Sequence, residues 1–584
     1  MSSPAGRERH PILFRHSPHW TYAPMWVLKV QDVLNMDGKF LRHHELKQKG
    51  LLKLREHTDP KAWVVFISHQ WLGREHPDPH GERLHVLQDF LRGLICLQVQ
   101  IEHDPTTQFF MKGRKLTKAE CRNLQHAYLW LDYFCVPQAP EATEEEQIKY
   151  IFSIPFYVDA CELFLAMVPR CYNEAGEPCG LPTWLQRGWC RTEMWCKLLS
   201  DASDIPIAVV TRGDSAEFPT MRWTFHTIHT GEFSVEADRA SCRQVVQRAL
   251  QRKIAELKSH GDLDRYRLFS ALFESLLGLP PRQRSLKEFL DDFAFKSLKK
   301  CRGRVGVGPV ACAALAGDAP LIHELVTARA TLHSRTRADE YMGVMPECTP
   351  LHLACWFRSD NLLPLRTLIE LRANTMAGKG GTPGPLNFCH TADAVELLVE
   401  HGASVNVPTS TLLWPPLHTM CMNAAEPETL AKILELRADP NGDPDGSQPL
   451  AMLGVWGNSN IYLIESAQLL LRKKADVNKV FETVGIWRII ELGCRAYGLF
   501  SRKPPMMVKV FGNFTTNCLG WAAMYGCEDL AVFLLQARAD TEVRNHRGLR
   551  PIDLSKTAFM RRLIAEPPRH YLFLSDRLHV EDLS

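Results

Sequence analysis

Short apolar runs alternate with helical patterns over the first third of the chain. Trp63-Val64-Val65-Phe66-Ile67 is continuously apolar and closes on Ser68-His69-Gln70. Such a run reads as a strand buried on both faces whose C-terminal end opens into a loop. Similar runs occupy 127–132, 163–168 and 205–210. Between the first two, Leu84, Leu87, Phe90, Leu91, Leu94 and Ile95 recur at helical spacing. Between the second and third, an acidic stretch at 141–146 precedes Ile148, Ile151, Ile154 and Tyr157, and acidic residues suit a helix N-terminus. A helix over about 187–200 fills the third interval. Strands alternating with helices predict an α/β domain over 62–215, with a parallel sheet of four or five strands and helices on both faces. On the last helix Glu193 shares a face with Trp189, Cys196 and Lys197, and Trp195, Leu198 and Leu199 share another. That spacing lets Glu193 point away from the core.

The flanks differ. Residues 1–61 begin polar and carry an aromatic stretch at 20–28, which is expected to pack on the next domain without chemistry of its own. The charged interval 98–122 reads as an insertion. Over 216–304, Val245, Val246, Leu250, Ile254 and Leu257 form one amphipathic pattern, and Leu268, Leu272, Phe273 and Leu276 form a second. Ser285 with Glu288 three residues on is a capping box. This stretch is a helical connector, and the basic run at 299–304 reads as solvated linker.

From about 305 the chain repeats. Thr349-Pro350-Leu351-His352-Leu353-Ala354 is the T-P-L-H-x-A opening of an ankyrin repeat, with partial copies at 416–418 and 449–451. The ends of second helices recur around Ala373, Ala403, Ala438, Ala475 and Ala539, at steps of 30, 35, 37 and 64. The ankyrin period is about 33, so the last step spans two units, one of them interrupted near 486–515. An earlier unit falls at 310–332 and a terminal one begins near 547. Six to seven repeats over 305–560 are expected, then a tail over 561–584. Only Gly402 supplies glycine where these helices end; Arg372, Arg437, Lys474 and Arg538 hold the equivalent sites. A left-handed backbone there costs a side-chain-bearing residue stability.

Length and charge narrow the classes. At 584 residues the chain is too long for one core. A formal charge of +3 points to neither nucleic acid nor a membrane surface. No apolar run approaches the ~20 residues of a membrane span. The start is polar and charged, unlike a signal peptide. The 18 cysteines are scattered with no CxxC pair, which reads as reduced thiols in a cytoplasmic protein without a metal site. His69, His76, His80 and His85 cluster without HExxH or CxxC and read as solvent-facing loop residues.

Three motifs carry a family resemblance. Phe66-Ile67-Ser68-His69 resembles the first-strand box of Toll/interleukin-receptor (TIR) domains, and Trp189-Cys190-Arg191-Thr192-Glu193 resembles the Trp-Cys-x-x-Glu of plant TIR domains. The stretch 130–138 and the segment from Arg187 to Glu193 are similar to the paired boxes of heterokaryon-incompatibility (HET) domains, which are related to the TIR fold. The resemblance implies a flavodoxin-like parallel-sheet domain ahead of the all-α ankyrin solenoid. It also implies Glu193 as the catalytic residue of NAD hydrolysis, with NAD as substrate and no permanently bound cofactor. The loop 68–74, with Ser68, Trp71 and Arg74, is where the resemblance places dinucleotide contacts. Asp132 ends a strand, where ligand-site carboxylates sit, and equally suits a cap of its own loop. Trp189, one turn before Glu193, is a candidate for stacking on a flat ring. The loop after Asp132 lacks the acidic, glycine-bearing pattern by which some TIR domains assemble.

Two readings follow. In one, an NAD-cleaving domain is governed by an ankyrin groove that binds a protein partner. In the other, the N-terminal domain only assembles, with copies of itself or with partners, and the chain is a scaffold. For Glu193 the bland counterpart is a helix ion pair with Lys197, four residues on.

Overall fold

A computed structural model describes residues 22–573, apart from 104–107, 109–113, 201, 203, 220–225, 299–305, 338–343, 380–381, 407–413, 443–446, 456, 502–503, 569 and 572. The basic run at 299–304 thus lies outside the described residues.

The strands are β1 (Trp26–Lys29), β2 (Leu52–Leu54), β3 (Val64–His69), β4 (Glu102–His103), β5 (Tyr128–Leu131), β6 (Leu163–Met167), β7 (Cys171–Tyr172), β8 (Pro178–Cys179), β9 (Ala208–Arg212) and β10 (Ser215–Phe218). Eight of them form one mixed sheet in the order β2-β1-β5-β3-β6-β9-β10-β4, and β7 and β8 make a separate two-stranded ribbon. The four apolar runs are its centre. β5, β3, β6 and β9 lie side by side and parallel. Phe66 stacks between Trp130 and Phe164 of the neighbouring strands, at centroid distances of 4.5 and 5.0 Å.

The segment 1–61 is more than a leader packed on this domain. β1 pairs antiparallel with β5, and β2 with β1, so the sheet begins within it. The outer edge of β5 otherwise presents unpaired backbone groups, and β1 satisfies them. The far side also runs past the expected limits. β10 crosses residue 215, and the interval read as an insertion supplies β4.

Helix α1 (Glu82–Ile95) lies in the crossover from β3 to β5, and α2 (Glu144–Asp159) in that from β5 to β6. The crossover from β6 to β9 holds α3 (Leu181–Gln186) and α4 (Gly188–Leu198). The first crossover runs one way along the sheet and the other two run the opposite way. Right-handed crossovers therefore put α1 on one face and α2 and α4 on the other. The reversal falls between β3 and β6, where open α/β sheets form their crevice.

The connector belongs to both parts. Its α5 (Asp238–His260) packs on α2 and α4, and its α6 (Leu263–Leu276) packs on α5 and on the first solenoid helix, Pro309–Ala316. Among the described residues, seven ankyrin helix pairs follow, from Pro309–Ala316 with Ala319–Thr327 to Pro551–Leu554 with Ala558–Ala565. The last pair passes the expected end at 560. The 64-residue step holds one repeat and an insertion instead of two repeats, one of them interrupted. The pair Pro449–Met452 and Leu463–Arg472 packs directly on Cys518–Tyr525 and Glu528–Gln536. The helices α7 (Gly485–Phe500) and Met506–Phe511 lie between these pairs in sequence as an addition to the stack. In Thr349-Pro350-Leu351-His352, the Thr349 N–H donates to His352 Nδ1 (3.1 Å) and the Nε2–H donates to Pro383 O (2.8 Å). The motif thereby ties one repeat to the loop of the next. Arg372, Arg437, Lys474 and Arg538 all carry positive φ, from 63° to 70°, alongside Gly402 at 90°.

The far end of the solenoid returns to the sheet. Arg170, just after β6, pairs with Asp529 (2.7 Å), and its guanidinium lies over the Tyr571 ring. Arg212 at the end of β9 pairs with Glu528 (2.6 Å), and Lys556 pairs with Glu217 of β10 (2.9 Å). Tyr571 also donates to Asp529 (2.8 Å), so the segment after 560 is partly built into this contact. Among the described residues no helix is long and apolar enough to cross a membrane.

Candidate functional site

The site sits at the C-terminal end of β3, where the strand order reverses. Phe66 and Ser68 alternate onto the face covered by α2 and α4, and His69 turns the other way. Ser68 receives the Trp184 indole N–H at 3.1 Å and donates its own hydroxyl to Glu193 Oε2 at 2.5 Å. Glu193 thus points inward, to the strand end, and not away from the core. The reason is tertiary. Helix α5 covers the outer side of α4, so Cys196 and Lys197 are buried along with Trp195. The charges facing Lys197 include those of Asp159 and Asp204, and burial lowers its amine to about 8.

The local chain explains how α4 reaches this position. The Gly188 N–H donates to Glu232 O (2.8 Å), and a Cβ at Gly188 would meet the Phe233 ring at 2.0 Å. The Arg-Gly-Trp sequence therefore lets the chain pass close beneath Phe233 as the helix starts. Upstream, the Thr183 hydroxyl accepts from the Gly180 N–H (2.9 Å) and donates to Gln70 Oε1 (2.8 Å). Arg83 donates to Gln70 O. Both contacts fix the loop leaving β3.

Asp132 is the second carboxylate of the site. It follows β5 and accepts from His69 Nε2–H (2.8 Å), the Trp71 indole N–H (2.9 Å) and the Tyr133 N–H (2.6 Å). It caps its own turn and ties β3 to β5 at once. Burial alone would raise its pKa, but the His69 ring and these donors outweigh burial and hold it below the ordinary carboxylate range. Glu193 behaves oppositely. Burial, then the neighbouring Asp132 charge, push it well above the ordinary range, against the Ser68 hydrogen bond. The Asp132 side chain is 33% accessible and Glu193 is partly accessible, so both acids reach solvent. Two carboxyls with pKa values driven apart form a site with one proton-holding and one charged member.

Four of the six candidate residues come together: Ser68, Trp71, Asp132 and Glu193. Trp189 does not join them. Its indole N–H donates to Asp238 Oδ2 on α5 (3.0 Å), which commits the ring to helix packing. Arg74 stands exposed, its backbone N–H held by Glu174 (3.2 Å). Sequence reasoning missed His69 and Trp184. His69 is a buried strand-end residue and not a solvent-facing loop histidine. The alternation of β3 is the signal that could have found it, since the residue after Ser68 still belongs to the strand. Among the described residues no group of three or more His, Cys, Asp or Glu side chains is placed to hold a metal ion.

The fold is thus a mixed α/β sheet unit continued by a connector into an ankyrin-repeat solenoid. No protein-family model matches the chain, and no curated protein matches it. Among solved structures it is similar to the ankyrin repeat domain of human ASB11, at 16% identity and TM-score 0.31, covering 45% of this chain and 99% of that one. It is also similar to the ankyrin repeat domain of Bcl-3, a member of the IkappaB protein family, at 19% identity and TM-score 0.29, covering 45% of this chain and 100% of that one. The ankyrin assignment rests on the T-P-L-H motif and the stacked helix pairs of this chain itself.

Proposed function

We propose that this is a two-part signalling protein: the ankyrin groove binds a protein partner, and the sheet unit, a flavodoxin-like domain resembling TIR domains, cleaves nicotinamide from NAD. The observation that carries the second half is Glu193, placed at the strand-order reversal, hydrogen-bonded to Ser68 and raised in pKa beside Asp132. The parallel strands β5-β3-β6-β9 have the chain order second, first, third, fourth, which is the flavodoxin-like order.

NAD is the substrate here and not a resident cofactor. Its nicotinamide carries a positive charge on the ring nitrogen. When the bond from that nitrogen to the ribose breaks, the electron pair goes to nitrogen and nicotinamide leaves neutral, so no acid is needed. Positive charge develops on the ribose as in glycoside hydrolysis, and a carboxylate beside it stabilises the transition state. Water then supplies oxygen to the ribose carbon and releases a proton. Glu193 holds a proton more tightly than an ordinary carboxyl, and a cationic ring beside it favours the carboxylate. Binding of the cationic ring therefore favours the charged form that the reaction uses. Ser68 orients Glu193, and Trp71 with Asp132 forms the adjoining wall. Exposed Arg74 is available to the pyrophosphate. Trp189, held by Asp238, is given no stacking role.

The test is nicotinamide release by the full chain, wild type against Glu193→Gln, with circular dichroism to show that the variant folds. Release that disappears in the variant supports the enzyme. Wild-type release no greater than that of the variant removes it. The scaffold reading would then stand, supported by the contacts of Arg170 and Arg212 that join sheet and solenoid.

A further inference from the structure

We infer that α7 is a dimerisation helix, and that its occupant is α7 of a second copy of this chain, antiparallel about Gly493. The helix is firmly seated on one side. Trp487 stacks on Trp414 at 5.4 Å, and buried Glu491 is paired with Arg488 (2.8 Å) and Arg495. Its other side is exposed. Ile489 is 70% exposed, Leu499 83% and Phe500 91%, and Ile486, Leu492 and Tyr497 are exposed with them. The exposed positions of the helix are 485, 486, 489, 492, 493, 496, 497, 499 and 500, and none is charged.

Three features select a second copy as the occupant. The first is area. Six such side chains expose on the order of 800 Å², and the four that face the axis supply on the order of 500 Å² of it, the larger part of the ~800 Å² each partner gives to a standard interface. It also exceeds the ~300–600 Å² of a typical monomer's largest apolar patch. The second is symmetry. Ile489 and Tyr497 lie four residues either side of Gly493, and Ile486 and Phe500 lie seven either side. A two-fold axis through Gly493 sets Ile489 against the partner's Tyr497 and Ile486 against the partner's Phe500, so the face is complementary to itself, as a two-fold interface requires. The third is the glycine. A Cβ at Gly493 would meet no atom within 4 Å, so the single chain does not need glycine there. A mid-helix glycine costs stability relative to alanine. At a crossing point, however, it lets two helix backbones approach closely.

The experiment is sedimentation equilibrium of the full chain between about 1 and 100 µM. Wild type is expected to be a dimer. Ile489→Glu, and Gly493→Leu, which adds a side chain pointing only to solvent in the single chain, should each weaken association at least 100-fold. Their melting curves extrapolated to low concentration should show no loss of stability against wild type, with Gly493→Leu melting at or above it, which separates lost pairing from lost folding. A wild type that stays monomeric at 100 µM overturns the proposal, as does a dimer that neither substitution weakens. A monomer that sediments with anionic phospholipid vesicles through α7 also overturns it and makes the helix a membrane-surface element.

Discussion

The hydroxyl of Ser68 donates to the carboxyl of Glu193 at 2.5 Å, across 125 residues of chain. This bond favours the charged form of a group that burial and Asp132 drive toward the neutral form. Ser68→Ala should therefore raise the Glu193 pKa further. The sign for stability follows. A carboxyl raised above its unfolded value contributes stability that is complete below the unfolded value and is lost as pH rises through the folded one. The loss should begin at the unfolded value in both proteins but extend to higher pH in Ser68→Ala, and vanish in Glu193→Gln. Infrared titration of the carboxyl stretch in the three proteins measures the shift directly. A signal unmoved by Ser68→Ala would show that the hydroxyl does not stabilise the carboxylate.

Acid should loosen the solenoid at its histidines. Burial lowers His352 and His390 to about 4 each, from an ordinary 6.5. A depressed histidine is neutral when folded, so its stability contribution is present above the unfolded value and is lost as pH falls from about 6.5 to about 4. Each such shift is worth on the order of 3 kcal/mol once complete. Urea midpoints between pH 7 and 4 should fall steeply in wild type and less steeply in His352→Gln, even though that variant starts lower. Parallel curves would mean that His352 is not the titrating group.

The repeat ends carry removable strain. Arg372, Arg437, Lys474 and Arg538 adopt the left-handed conformation that glycine adopts at lower cost. Replacing each by glycine should stabilise the chain by about 0.5–1 kcal/mol, net of the entropy glycine adds to the unfolded state. Four together should raise the thermal midpoint by several degrees. A quadruple variant that melts at or below wild type would show that the basic side chains offset the strain at the helix ends.

The contact between sheet and solenoid centres on Asp529. Asp529→Ala removes the partner of Arg170 and the acceptor of the Tyr571 hydroxyl. Leaving a partly buried cation without its carboxylate costs up to about 3 kcal/mol. Amide exchange should quicken at 163–172 and at 528–536, and stay unchanged at 350–370. Uniform exchange in the variant would mean that the two parts are held together elsewhere.

Local patterns carried much of the fold, for identifiable reasons. β3, β5, β6 and β9 are parallel strands buried on both faces, so each needs an unbroken apolar run, and such runs are visible. β1, β2, β4 and β10 flank this centre, β2 and β4 as the edge strands, and none is longer than four residues. Ser68, Trp71, Asp132 and Glu193 could be nominated because strand ends collect ligand-site groups and because a short motif resembles a known one. The direction of Glu193 could not be read. It depends on α5, whose own periodicity does not say which helix it will cover.

The sequence by itself determined the repeat spacing, the left-handed sites at the helix ends, the four central strands and the position of Glu193 on a helix after the third of them. These depend on contacts within about one turn or one repeat, where side-chain period and backbone preference act directly. Only the tertiary structure decided that Asp132 and Glu193 are neighbours with opposite pKa shifts, that His69 is buried and that Trp189 belongs to Asp238. It also decided that the far end of the solenoid returns to β6 and β9. Each of these joins residues tens to hundreds of positions apart, and which partner a buried polar group finds is set by the packing that buries it.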